Sequence, residues 1–156
     1  MRTRRVLLVL LAGAVVGFAI FGLLAYRAVS VEEAAAPEAL RRFEAIRAAL
    51  DGRPPLIALD ESGNVVRRTA PPVTSPRPVS RLGVLAYQAD EQRLVTADVP
   101  MWFFKLKGPA AQYLVRGTGL DLERLQITAS DLERYDPSVV IDHARANGDR
   151  LLVWTE

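Results

Sequence analysis

The strongest constraint on this chain is a long uncharged segment near its beginning. Residues 6–26 read VLLVLLAGAVVGFAIFGLLAY and contain no charged side chain. As a helix rising 1.5 Å per residue they would extend about 31 Å, close to the roughly 30 Å hydrocarbon core of a bilayer. Backbone polar groups in lipid need internal hydrogen-bond partners, so a single crossing segment must be helical. The sequence therefore predicts one transmembrane helix at residues 6–26.

The charges beside this segment predict its orientation. Three arginines lie within residues 1–5, whereas Arg27 on the other side is soon followed by Glu32 and Glu33. Basic residues favour the cytoplasmic side of a membrane. We therefore expect the N-terminus inside and the rest of the chain outside the cytoplasmic membrane. The alternative is a signal peptide cleaved near residues 28–30, but the apolar region of a signal peptide normally has only about 7–15 residues.

The remainder of the chain is not basic. The whole sequence has 20 Lys and Arg against 18 Asp and Glu, but four of the arginines flank the apolar segment, so residues 30–156 are slightly acidic. Nucleic-acid-binding domains usually have a concentrated basic face, and we expect no nucleic-acid partner. The absence of cysteine from the sequence excludes disulfides, thiolate metal ligands and a cysteine nucleophile.

Apolar spacing and a group of prolines suggest the domain boundaries. Leu40, Phe43 and Ile46 share one face of a helix predicted over residues 37–50. We favour packing of this face on the following domain; the alternative is a stalk that contacts a neighbour or the membrane. The predicted organisation is a basic lead (1–5), a transmembrane helix (6–26), a juxtamembrane linker with an amphipathic helix (27–52) and an extracytoplasmic domain (53–156).

Turn residues between apolar runs predict three hairpins in that domain. The expected strands are residues 56–59 with 65–69, 82–88 with 93–97, and 139–145 with 150–155, the last pair joined by Asn147-Gly148 in a type I′ turn. Overlapping capping-box patterns from Thr128 predict a short helix at residues 131–135. The predicted fold is a single N-terminal transmembrane helix followed by a small α+β domain, with mostly antiparallel hairpins and short helices.

Few residues indicate catalysis. His143 is the only histidine and lies beside Asp142, but adjacent strand residues point to opposite faces, so the two should not form a dyad. No cofactor or metal ion is expected, because the sequence lacks a second histidine, a cysteine and a glycine-rich phosphate loop. We expect a non-catalytic protein; the alternative is a small membrane-tethered hydrolase with an unrecognised carboxylate or serine active site. A pocket that gathers two or more of Asp98, Asp142, His143 and a lysine would favour this alternative.

Two further groups of residues suggest interactions. The aromatic cluster consists of Trp102, Phe103, Phe104, Lys105 and Lys107. If the segment is extended, Trp102 and Phe104 share one face and fill the core; the alternative is a patch that contacts the bilayer or a partner, because aromatics beside cations suit a membrane interface.

Gly13 and Gly17, four residues apart, either pair two membrane helices or reflect the ordinary composition of such helices. Together the features predict a single-pass membrane-anchored protein that acts as an interaction or assembly module of the cell envelope. Its expected partners are the lipid bilayer, through residues 6–26, and an envelope protein or a second copy of the chain.

Overall fold

The structure is a computed structural model that describes residues 29–70, 77–105 and 128–156. These residues form seven strands and three helices. The strands are β1 (Val29–Glu33), β2 (Ile57–Leu59), β3 (Val65–Arg68), β4 (Arg81–Gln88), β5 (Arg93–Pro100), β6 (Val139–Ala144) and β7 (Arg150–Thr155). The helices are α1 (Ala36–Ala49), α2 (Met101–Phe104) and α3 (Ala129–Leu132).

All seven strands belong to one sheet, in the order β1-β5-β4-β7-β6-β2-β3. The three predicted hairpins are confirmed as the antiparallel pairs β2–β3, β4–β5 and β6–β7. Two further antiparallel pairs, β1–β5 and β4–β7, extend the sheet. Strand β2 runs parallel to β6, where Ile57 lies opposite Ile141, so the sheet is mixed.

The predicted fold class is wrong. Instead of an α+β domain of hairpins and helices, the described residues form a mostly-sheet domain in which α2 and α3 have only four residues each. The prediction did not include the pairing of the hairpins with one another, because β4 and β7 are far apart in sequence. It also did not include β1, which lies in an acidic, alanine-rich stretch.

Among the described residues, no helix combines the length and apolar character needed to cross a bilayer. Residues 6–26, predicted as a transmembrane helix, lie outside the described ranges.

Helix α1 covers one face of the sheet. Phe43, which is fully buried, packs with Leu85 and Leu152 beneath the helix, and Ile46 adds a partly buried contact. The spacing of Phe43 and Ile46 on one helical face explains this burial. Leu40, expected on the same face, is instead exposed.

The opposite face carries a second apolar cluster. Residues from four adjacent strands lie in one row across the sheet: Ala97, Val84, Val153 and Ile141. Met101 of α2 and Leu132 of α3 pack against this cluster. Both short helices are therefore held by apolar contacts, and the sheet is buried on both faces at its centre.

The strand directions give the sheet two different ends. At one end, which we name the Val29 end, β1 begins and β5 leads into α2. At the other, which we name the turn end, lie the three hairpin turns at residues 60–64, 89–92 and 145–149. Each hairpin begins its first strand at the Val29 end, so the turns gather on the opposite side.

Local hydrogen bonds and backbone angles test two sequence predictions, the capping box at Thr128 and the turn at Asn147-Gly148. Thr128 caps α3: its side chain accepts a hydrogen bond from Asp131 N, and the Asp131 side chain accepts one from Thr128 N. The predicted capping box is therefore confirmed, and the helix begins two residues earlier than predicted. The type I′ prediction for Asn147-Gly148 is wrong, because Gly148 alone of the two has a positive φ, +93°. The bond from Gly148 N to Arg145 O closes a four-residue turn one residue earlier, with Ala146 and Asn147 at its centre.

Candidate functional site

A small pocket opens at the turn end of the sheet, with a volume of about 70 Å³. Its floor is a row of three residues on adjacent strands, because Ala86 of β4 lies opposite Leu151 of β7, which lies opposite His143 of β6. Gln88 follows two residues after Ala86 on β4, where strand alternation places it on the same face, and Arg145 follows directly after the end of β6 and also lines the pocket. The floor of the pocket is therefore apolar except for His143, and the rim is polar.

His143 is the most buried polar residue of the pocket. Its side chain is only 7% exposed, and Nε2 is buried without a hydrogen-bond partner among the described residues. Burial lowers the pKa of the imidazole below its ordinary value of 6.5, and the charge of Arg145 lowers it further. The carboxylates of Asp60 and Asp142 act in the opposite direction. The ring is therefore neutral at pH 7.

Three further side chains line the rim of the pocket. The Oε1 atom of half-buried Gln88 is also without a partner among the described residues. The carboxylate of Asp149, by contrast, accepts hydrogen bonds from Ala89 N at 2.9 Å and from Asn147 Nδ2 at 2.8 Å. Arg145 is exposed and makes no ion pair within the described part of the chain. Hydrogen-bonding capacity is thus left at Gln88, Arg145 and His143.

The residues considered for catalysis are separated. Asp98 forms an ion pair with Arg81 at 2.5 Å. Asp142 forms one with Arg47 of α1, also at 2.5 Å. Asp98 on β5 and Asp142 on β6 are three strands apart, which is roughly 14 Å at about 4.8 Å per strand. Each carboxylate serves a separate structural contact.

The prediction that Asp142 and His143 do not form a dyad is confirmed. Asp142 lies opposite Leu152, on the face covered by α1, whereas His143 lies opposite Leu151 on the other face. Across residues 29–70, 77–105 and 128–156, no group of three or more His, Asp or Glu side chains is arranged to hold a metal ion.

The aromatic cluster lies at the Val29 end. Trp102 is 56% exposed on α2, so it does not fill the core, and the alternation expected for an extended segment does not apply to this helical turn. Lys105, just after α2, pairs with Glu133 at 2.7 Å. The side chains of Phe103 and Phe104, and residues Lys107, Gly13 and Gly17, lie outside what the structure describes.

Comparison with protein-family models, curated proteins and solved structures found no match to this chain.

No sequence pattern predicted the pocket as a whole, although one part of it has a visible signal. His143 and Arg145 are two residues apart in a predicted strand, which places them on one face. Gln88 belongs to another hairpin, and its position beside them depends on the pairing of β4 with β7. That pairing is non-local, so the sequence offered no local pattern from which to infer it.

Proposed function

We propose that this chain is a single-pass, membrane-anchored and non-catalytic interaction module of the bacterial cell envelope. Residues 6–26 hold it in the cytoplasmic membrane, and the sheet domain lies outside, with the turn end directed away from the lipid. The observation that carries this proposal is the position of β1, whose first residue, Val29, follows the apolar segment after only two intervening residues.

The short connection restricts how the domain sits on a membrane. Three residue steps separate Tyr26 from Val29, and a fully extended chain covers at most about 3.6 Å per step, so the connection spans roughly 11 Å at most. An anchored chain would therefore keep the Val29 end close to the headgroups. Trp102 and Lys105 lie at this end, and exposed aromatic and cationic side chains suit the interfacial region of a bilayer.

The turn end supplies the surface for a partner. Three loops converge there, and loops held by a rigid scaffold commonly carry binding function. The separation of Asp98, Asp142 and His143, each in different surroundings, supports an interaction role over the hydrolase alternative. The partner is an envelope protein or a second copy of the chain, and crosslinking from native membranes followed by mass spectrometry distinguishes the two.

Single-cysteine variants test the anchored topology, because the chain has no native cysteine. Ser62→Cys places a thiol in the exposed β2–β3 turn, and Thr3→Cys is the matched control before the apolar segment. A membrane-impermeant maleimide should label the Ser62→Cys chain in spheroplasts and the Thr3→Cys chain only after lysis. The reverse pattern, or release of the chain by carbonate extraction, would refute the topology.

Fluorescence quenching tests which end faces the bilayer. The chain has two tryptophans, so Trp154→Phe leaves Trp102 as the only reporter. In vesicles containing lipids brominated high on the acyl chain, we expect strong quenching of Trp102. The control replaces both native tryptophans with Phe and adds Ser62→Trp at the turn end, which should be quenched weakly. Equal quenching of the two chains would contradict the proposed orientation.

A further inference from the structure

The pocket at the turn end contains buried polar atoms that the described residues leave unsatisfied. These atoms are Nε2 of His143 and Oε1 of Gln88. Leaving a buried polar group without a hydrogen bond costs about 1–3 kcal/mol. Both side chains line the same open pocket, so a single bound group can form hydrogen bonds with both.

Three of the side chains that line the pocket provide hydrogen-bond donors of different kinds. The guanidinium of Arg145 carries a fixed positive charge. The amide of Gln88 presents either its oxygen or its NH2 group, because a half-turn exchanges two nearly isosteric atoms. The neutral imidazole of His143 carries one N–H. Three donors around a volume of about 70 Å³ suit a compact anion with more than one acceptor oxygen.

The nearby carboxylates are occupied by other donors. Asp149 accepts hydrogen bonds at both oxygens, from Ala89 N and Asn147 Nδ2. Asp60, in the neighbouring β2–β3 turn, accepts bonds from Ser62 N and from the backbone and side chain of Asn64. Neither carboxylate pairs with Arg145. The guanidinium of Arg145 is therefore left for a ligand.

We propose that the turn-end pocket binds the carboxylate group of a small organic acid, with Arg145, Gln88 and His143 as its hydrogen-bond donors. The carboxylate sits over Ala86 and Leu151, and the rest of the ligand extends through the open mouth past the turn at residues 145–149. This binding site is independent of the membrane anchor and of any protein partner.

A bound carboxylate has a defined effect on the histidine. An anion beside the imidazole favours its charged form, so binding raises the pKa of His143, against the lowering caused by burial and by Arg145. Asp60 and Asp142 already act in the raising direction. By linkage, the affinity for the carboxylate increases as the pH falls through the range in which His143 titrates.

Nuclear magnetic resonance of the full chain in detergent micelles tests the proposal directly. His143 is the only histidine, so selective labelling of histidine gives a single imidazole signal. The probe is sodium acetate, with sodium chloride at the same ionic strength as the control. We expect a saturable shift of the His143 signal with acetate alone and an upward shift of its titration midpoint. Both effects should be absent with chloride.

Variants at the exposed rim separate binding from folding. Arg145→Gln removes a charge-assisted donor and should weaken acetate binding about tenfold or more. Gln88→Leu should also weaken binding, and Arg67→Gln, an exposed arginine on β3, is the matched control that should not. A shift that does not saturate, that chloride reproduces, or that survives Arg145→Gln in a folded chain would overturn the proposal and indicate a pocket filled by water alone.

Discussion

Gly83 of β4 and Trp154 of β7 lie opposite each other, and the indole packs closely over the glycine. A Cβ atom added at Gly83 would lie 2.2 Å from both Cε2 and Cζ2 of the Trp154 indole. Carbon atoms in contact are normally about 3.5–4.0 Å apart, so the ring would have to move by more than about 1 Å. Gly83→Ala is therefore predicted to destabilise the fold.

The size of the effect follows from two opposing terms. Overpacking of this kind typically costs about 1–3 kcal/mol. Alanine in place of glycine inside a strand would otherwise gain about 0.5–1 kcal/mol, since glycine loses more conformational freedom on folding. We therefore expect Gly83→Ala to lower the free energy of unfolding by about 1–2 kcal/mol. Urea unfolding of the full chain in detergent, followed by circular dichroism, measures this change.

A double-mutant cycle with Trp154→Ala attributes the loss to the indole. In the Trp154→Ala chain the clash is absent, so Gly83→Ala should be neutral or stabilising, which reverses its sign. The coupling energy should be about 2 kcal/mol, within the range found for residues in contact. If Gly83→Ala lowers stability equally in both backgrounds, or raises it when Trp154 is present, the packing argument is refuted.

Three other predictions concern α1, α3 and the pocket. Phe43→Ala should lower the free energy of unfolding by about 3–5 kcal/mol, because it empties the fully buried contact of α1 with the sheet, whereas Leu40→Ala on the same helix is the exposed control and should change it little. Thr128→Ala should cost about 1 kcal/mol through loss of the α3 cap, and Thr128→Ser should retain most of it. The contribution of His143 to the free energy of unfolding should be constant above pH 6.5 and should decrease as the pH falls below it. The reason is that the unfolded histidine binds a proton with its ordinary pKa, whereas the folded histidine has a lowered pKa and does not. The loss is complete below the folded pKa, and His143→Gln should remove this component of the pH profile.

Local patterns predicted the elements of this fold well. The amphipathic spacing around Phe43 located α1 to within one residue at each end, and turn residues such as Asn64 located all three hairpins. The capping box at Thr128 located α3 to within three residues at each end. These signals lie within about ten residues of sequence, where spacing and turn chemistry determine the conformation.

The arrangement of these elements depends on contacts that no local pattern encodes. Pairing of β4 with β7 brings Leu85 opposite Leu152, sixty-seven residues later in the sequence. Several hairpin orders would bury the same apolar residues, so hydrophobic pattern alone did not select one. The pocket could not be predicted for the same reason, since Gln88 and His143 line one pocket only because β4 pairs with β7.

Strand β1 was missed for a different physical reason, its position at the edge of the sheet. An interior strand is recognised by apolar residues on both faces, but β1 pairs only with β5 and its central residue, Val31, is 59% exposed. Glu32 forms an ion pair with Arg42 of α1, which links the helix to the edge strand. Charged residues on edge strands also discourage pairing with other chains. The glutamates that make β1 resemble a linker are thus consistent with its role as a sheet edge.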